Sequence, residues 1–215
     1  MNPVQVSERL QAYMEALLPE RDPVLAALER EAERDSVPIV GPHEGMLLFL
    51  LTRAAGARRL LELGTATGYS GLWLIRGAGP EASLVTIELD EHRAARARRS
   101  FADGAPSATV EVMEEEALAV LDRLQGGFDL VFNDLLNSFS SEADVERCFR
   151  RSVDLVRMGG LLLADNALRQ GEVADPRSQQ SRNVATYNRL AAADRRLEAV
   201  LVPIRDGLSI AVRTA

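Results

Sequence analysis

Two acids and an amide stand where apolar runs stop. Asp134 closes "FDLVFND", and Asp165 with Asn166 closes "GGLLLADN". A set made only of carboxylate and amide oxygens suits Mg²⁺, Mn²⁺ or Ca²⁺ rather than zinc, which favours nitrogen and sulfur. Singly, each is an ordinary turn or helix-capping residue; three at neighbouring strand tips would make a cation site. Glu88 closes "VTIELD" about 20 residues beyond Gly68, where an acid can accept hydrogen bonds from ribose hydroxyls. Between Glu62 and Ser70, "ELGTATGYS" carries Gly64 and Gly68, which permit a tight turn and close approach of a ligand to the backbone. Its G-x-x-x-G spacing is neither a dinucleotide fingerprint nor a phosphate loop, so by itself it also fits a turn that packs strand on helix. In "MEEEAL", Glu116 and Ala117 either border an adenine ring or serve a helix start, where acids complement the macrodipole.

The elements that must position these residues follow from the spacing of apolar side chains. Up to residue 55 apolar positions recur three and four apart in "VSERLQAYMEALL", "PVLAALEREAER" and "HEGMLLFLLTRAAG", which predicts helices. From residue 58 strands alternate with helices: "RRLLELG", "SLVTIELD", "ATVEVM", "FDLVFND" and "GGLLLADN" are the strands. That alternation predicts a mainly parallel sheet covered on both faces. "LEAVLVPI" and "LSIAVRT", separated by "RDG", predict a closing antiparallel hairpin. In such sheets ligands sit beyond the carboxyl ends of the strands, which is where the candidate residues fall.

At 215 residues the chain suits one domain (1–215), with a helical cap (1–55) and an α/β core (56–215). The net charge of −7 argues against a broad positive face for nucleic acid. No apolar run reaches the roughly 20 residues of a membrane span, and acids and arginines interrupt the N-terminal pattern, unlike a signal peptide. Cys148 stands alone in "VERCFRRSVDLV" and reads as a core thiol; no internal disulfide forms, which fits a reducing cytoplasm. There is no lysine: every basic side chain except the two histidines is arginine, too basic to accept a proton in the ordinary way.

"PIVGPHEGMLL", "LLELGTATGYSGLWL", "VTIELD", "FDLVFND", "GGLLLADNAL" and "VPIRDGLSIA" occur in the order found in the cation-dependent, S-adenosylmethionine-dependent O-methyltransferases. The chain resembles that family, which includes catechol and caffeoyl-CoA O-methyltransferases, over nearly its whole length. Its opening is most similar to bacterial members, some of which methylate hydroxyuridine in tRNA. The resemblance implies a Rossmann-like class I methyltransferase fold with a seven-stranded, mainly parallel sheet. It further implies that Val40 covers the methionine end of S-adenosylmethionine, that Glu62, Gly64, Tyr69 and Ser70 hold its amino-acid portion, and that Asp134 also borders the cofactor. Glu88 would hold the ribose, Glu116 and Ala117 the adenine, and Asp134, Asp165 and Asn166 a divalent cation (Mg²⁺ or Mn²⁺, alternatively Ca²⁺). A homodimer and a small hydroxylated acceptor, with tRNA hydroxyuridine as the alternative acceptor, are the implied partners, with no membrane.

One position departs from the family. Members carry a lysine three residues after the metal-binding acid, as the proton acceptor, whereas this chain reads "DLLN" with Asn137 there. An amide forms hydrogen bonds but takes no proton at neutral pH. Three functions therefore remain open: an O-methyltransferase whose cation does most of the activation, a metal-independent methyltransferase on the same fold, and a cofactor-binding protein weakened in catalysis. His43, in "VGPHEG", is a conceivable substitute base against the simpler reading of a first-turn helix residue, and His92 is a surface residue. Arg169, Arg177 and Arg182 follow "ADN" and could meet an anionic substrate; solvated arginines are the simpler reading.

Overall fold

Leu60, Leu61 and Leu63 are inaccessible to solvent because their strand, β1 (Arg59–Leu63), runs through the middle of the sheet. The computed structural model describes residues 6–215; residues 1–5 of the N-terminal stretch read above lie outside the described residues. Beside β1 lie β2 (Ser83–Ile87) and then β3 (Thr109–Met113) on one side, and β4 (Phe128–Asn133) and then β5 (Val156–Ala164) on the other. These five strands are parallel. The hairpin of β6 (Leu197–Val202) and β7 (Leu208–Arg213) closes the sheet, with β7 antiparallel to both β5 and β6. The order β3-β2-β1-β4-β5-β7-β6 gives the expected seven strands of a class I methyltransferase sheet.

The register fixes the site. Leu63 pairs with Ile87 on one side and Asn133 on the other, and Asn133 pairs with Ala164. The next residue along each strand is therefore Gly64, Glu88, Asp134 or Asp165, in one row at the carboxyl edge. Crossovers leave β1 toward β2 and return to β4 on its far side. The row thus spans the switch point where α/β sheets open a crevice.

Two apolar layers cover the sheet. On one face α6 (Ala117–Arg123), α7 (Glu142–Leu155) and α8 (Gln179–Ala193) bury Val120, Cys148, Phe149 and Tyr187. On the other, α2 (Pro23–Asp35), α3 (Gly41–Ala54), α4 (Tyr69–Ala78) and α5 (Glu91–Gly104) bury Leu28, Leu48, Leu72 and Phe101. Glycines let α3 and α4 approach closely: a Cβ on Gly77 would lie 2.7 Å from the Phe49 carbonyl oxygen, and one on Gly45 would strike the Trp73 ring. The helical cap is docked by polar contacts. Asp22 caps α2 and pairs with Arg76 at 2.5 Å, Glu31 pairs with Arg96 at 2.7 Å, and the Tyr69 hydroxyl donates to Glu29 at 2.7 Å. The first helix, α1 (Glu8–Ala16), buries no residue and leaves Tyr13 exposed, with Leu17 exposed at its end. Cys148 is a core thiol, its sulfur facing the Asn133 amide at 3.5 Å, and burial pushes its pKa up to about 12.

Candidate active site

The loop between β1 and α4 is tightly packed at its start. Gly64 has φ of 92°, and a Cβ there would lie 3.0 Å from Leu135 and 3.2 Å from the Asp134 carbonyl oxygen. Both facts favour glycine: the left-handed conformation and the absence of room. Ala66 takes a left-handed φ of 43°, and its N–H donates to Glu88 Oε2 at 2.9 Å. Glu88 Oε1 accepts the Asp90 N–H at 2.9 Å, so the acid is held at the tip of β2 while Asp90 caps α5.

Glu62, two residues before Gly64 on β1, is fully buried. Its two oxygens accept from the Ser70 hydroxyl at 2.6 Å and the Thr86 hydroxyl at 2.5 Å. Burial pushes its pKa up to about 7, against the pull of those two hydrogen bonds, and the nearby Glu88 charge adds to the rise. Glu62 thereby fixes the loop from behind. Val40 and Tyr69 are likewise buried, the Tyr69 hydroxyl facing Glu29 on α2.

The acids at the tips of β4 and β5 share a poorly solvated corner. Burial raises Asp134 well above the usual carboxylate range, and the charges of Asp165 and Glu62 push the same way. Burial raises Asp165 too, although it accepts the Asn166 N–H at 2.5 Å. A third acid, Glu44 of α3, was not anticipated from the sequence. It is wholly buried, no donor reaches either of its oxygens among the described residues, and burial with the neighbouring Asp165 pushes its pKa up to about 10. Protonated Glu44 can donate to Asp165, which accounts for its lack of other partners. Arg205, on the β6–β7 turn, is the cation that opposes these shifts.

Asn137 Nδ2 donates to Asn166 Oδ1, and Asn137 Oδ1 is buried without a partner. Among the described residues no three His, Cys, Asp or Glu side chains converge to hold a metal. The candidate set is instead two acids and an amide. Two crowded carboxyls with an orphaned amide oxygen beside them fit a hard divalent cation, whose charge would relieve both.

Gly64, Glu88, Asp134, Asn137, Asp165 and Asn166 line one cleft of about 500 Å³. Glu116 and Ala117 line an adjoining hollow of about 280 Å³ that shares Gly64, Glu88 and Leu135 with it. Of the two readings of Glu116 the helix cap is observed, its oxygens accepting from the Leu118 and Ala119 N–H groups. His43 lines an adjoining cavity, beside Met14 and Pro203, that shares Gln170, Arg205 and Asp206 with the cleft, and His92 is exposed. Arg177 pairs with the exposed Asp175, and Arg182 donates to the Arg177 carbonyl and Gln179, whereas Arg169 lines the cleft. Among the described residues, five of the six non-glycine residues with left-handed φ (Ala66, Asn166, Arg169, Gln170 and Arg205) border this cleft. Strain of this kind persists where the surroundings enforce it and gathers at ligand sites.

Comparison with known proteins agrees with the geometry. The profile of the O-methyltransferase family matches residues 17–214. A Mycobacterium avium protein that carries the name O-methyltransferase is 35% identical over 212 residues, covering 96% of this chain and 92% of its own. The O-methyltransferase TomG of Streptomyces achromogenes, involved in tomaymycin synthesis and solved with S-adenosylmethionine, superposes with a TM-score of 0.82 at 28% identity over 96% of each chain. A Bacillus cereus O-methyltransferase, solved with S-adenosylhomocysteine, superposes at 0.79 and 28% over 96% of this chain and 97% of its own. With a matching profile over nearly its full length and the sheet, loop and cleft in place, the chain belongs to the O-methyltransferase family and is an S-adenosylmethionine-dependent enzyme.

Proposed function

We propose that the protein transfers a methyl group from S-adenosylmethionine to a hydroxyl of a small catechol-like, or other phenolic or enolic, acceptor with the help of a divalent cation. The observation that carries this reading is the row of Gly64, Glu88, Asp134 and Asp165 at the edge of one sheet, opening into one cleft. The Gly64 loop and Glu88 suit the amino-acid and ribose parts of the cofactor, and the hollow beside Glu116 and Ala117 suits its adenine. Asp134, Asp165 and Asn166 would hold the cation, which supplies Lewis acidity that makes an acceptor hydroxyl easier to ionise.

The chain's own contribution is positioning. Leu135, against Gly64, narrows the cleft where donor and acceptor meet. The acceptor oxygen attacks the methyl carbon in line, an O–C bond forms, and the S–C bond breaks to leave S-adenosylhomocysteine. With Asn137 unable to take a proton, solvent or His43 of the adjoining cavity receives the acceptor's proton. Methyl transfer should therefore rise toward alkaline pH.

Calorimetric titration of Mg²⁺ or Mn²⁺ with S-adenosylhomocysteine present tests the cation. A binding heat that vanishes in an Asp134→Ala/Asp165→Ala variant supports it; none in the unmodified protein points to the metal-independent reaction. We also propose that the protein is a homodimer, supported by the exposed Val6, Tyr13 and Leu17 around α1; sedimentation at the size of a single chain would refute this.

A further inference from the structure

Two arginines at the rim of the cleft have no role in the scheme above. Arg169 follows the tip of β5 and Arg205 sits in the β6–β7 turn; both border the cleft that holds Asn137. Their two loops are strapped together. The Ala167 N–H donates to the Gly207 carbonyl at 2.8 Å, the Leu168 N–H to the Asp206 carbonyl at 2.8 Å, and the Gln170 N–H to Asp206 Oδ1 at 2.5 Å. Gly207 makes the approach possible, because a Cβ there would lie 2.4 Å from Leu168 Cγ.

Both arginines occupy left-handed backbone, φ 46° at Arg169 and 47° at Arg205, which glycine adopts without steric cost. A long cationic side chain at each strained position points to a use for the side chain. Arg169 Nε is buried and donates to nothing among the described residues. A buried guanidinium N–H without an acceptor is costly, and a bound anion would supply one. Arg205 donates one N–H to the Ile39 carbonyl at 2.6 Å and forms no ion pair among the described residues, leaving most of its five donors unused. Offsetting Asp134, Asp165 and Glu44 at a distance explains the charge of Arg205 but not the orphaned donor of Arg169. No carboxylate of the cleft accepts from that donor: Glu88 accepts two backbone N–H groups and Asp206 accepts from Gln170.

We propose that Arg169 and Arg205 form an anion site that receives the carboxylate of the methyl acceptor, so that the substrate is a small hydroxylated aromatic or enolic acid. Guanidinium groups match carboxylates by paired, charge-assisted hydrogen bonds. The placement of the acceptor's hydroxyl rests on the methyl-transfer reading above, whereas the anion site does not. The test is calorimetry on the full chain with S-adenosylhomocysteine and Mg²⁺ present, comparing 3,4-dihydroxybenzoate with its methyl ester. The acid should bind at least about tenfold tighter, as one charge-assisted pair predicts. Arg169→Gln should erase most of that preference while leaving the affinity for the ester and for S-adenosylhomocysteine unchanged, which also reports intact folding; Arg205→Gln, which also unbalances the Asp134 and Asp165 charges, should lower the ratio of acid to ester affinity. Equal affinity for acid and ester, no binding of either, or equal weakening of both in the variants overturns the anion site. Equal methylation of acid and ester overturns it while leaving methyl transfer standing. Arginine-dependent binding of the acid without methylation supports the site and counts against the reaction.

Discussion

The side-chain amide of Asn137 donates to Oδ1 of Asn166, tying the loop after β4 to the tip of β5 at the point where the family resemblance implies a proton acceptor. The bond occupies an oxygen proposed to face the cation and leaves Asn137 Oδ1 buried and unpartnered. Asn137→Lys restores a basic group there. It should raise the rate of catechol methylation near neutral pH by about 10²-fold, the lower range for a positioned general base, and flatten the alkaline rise. Initial rates from pH 6 to 10 with labelled S-adenosylmethionine decide this, and an unchanged rate would mean that proton removal does not limit turnover.

Removing the paired acids should be more damaging than altering Asn137. Asp134→Ala/Asp165→Ala deletes both carboxylates of the proposed cation site, and methyl transfer should fall by several kcal/mol of transition-state stabilisation, about 10³-fold or more. Undiminished turnover by this variant in the presence of chelator would defeat the cation requirement.

Glu62 gives the fold a pH dependence of defined sign. Its pKa rises from an ordinary 4.5 to about 7 on burial, so between those values the folded protein keeps a proton that the unfolded chain has released. This group's contribution is greatest below pH 4.5, declines as pH rises toward 7, and is level above that. Across that window the loss is on the order of 3 kcal/mol. Glu62→Gln, neutral throughout, should make urea-unfolding stability less steep between pH 5 and 7; an identical slope would show that Glu62 is ionised throughout the folded state.

Gly77→Ala should destabilise the protein by about 1–3 kcal/mol, because the added Cβ meets backbone rather than a movable side chain, 2.7 Å from the Phe49 carbonyl oxygen. Thermal unfolding at constant pH measures it. A neutral effect would mean that α3 and α4 separate at little cost.

At Arg205, glycine and alanine should differ. Both remove the guanidinium and its bond to Ile39, but only alanine keeps a Cβ at φ 47°. Arg205→Gly should therefore be more stable than Arg205→Ala by about 1 kcal/mol, the cost of left-handed backbone for a residue with a side chain. Equal melting would show that the turn relaxes out of that conformation in the variants.

Strands and their tips were legible because each strand is an apolar run that stops at a polar residue, and parallel pairing aligns those stops. "LLELG", "VTIELD", "FDLVFND" and "LLLADN" reach the same edge, so Gly64, Glu88, Asp134 and Asp165 could be named before any coordinates. What lies behind the edge was not legible. Nothing in "ELGTATGYS" says that Glu62 spends both oxygens on Ser70 and Thr86, since Thr86 arrives from the neighbouring strand. Glu44 was hidden because one acid within "HEGMLLFLLTR" looks like the polar side of a helix, and only packing turns it toward Asp165. Arg205 lay in a hairpin turn, where composition predicts solvent. That it shares a cleft with Arg169 depends on contacts between residues about forty positions apart in the chain, which local patterns do not encode.

The strap between residues 167–170 and 206–207 makes the two loops a single heritable cassette. Transplanting either one alone into a relative would strand the Ala167, Leu168 and Gln170 amides or bring a bulkier residue against Leu168. Transplanting both should carry acceptor preference with them while the cofactor half, built on other strands, stays behind. Selectivity and methyl donation in this fold can thus diversify on separate schedules.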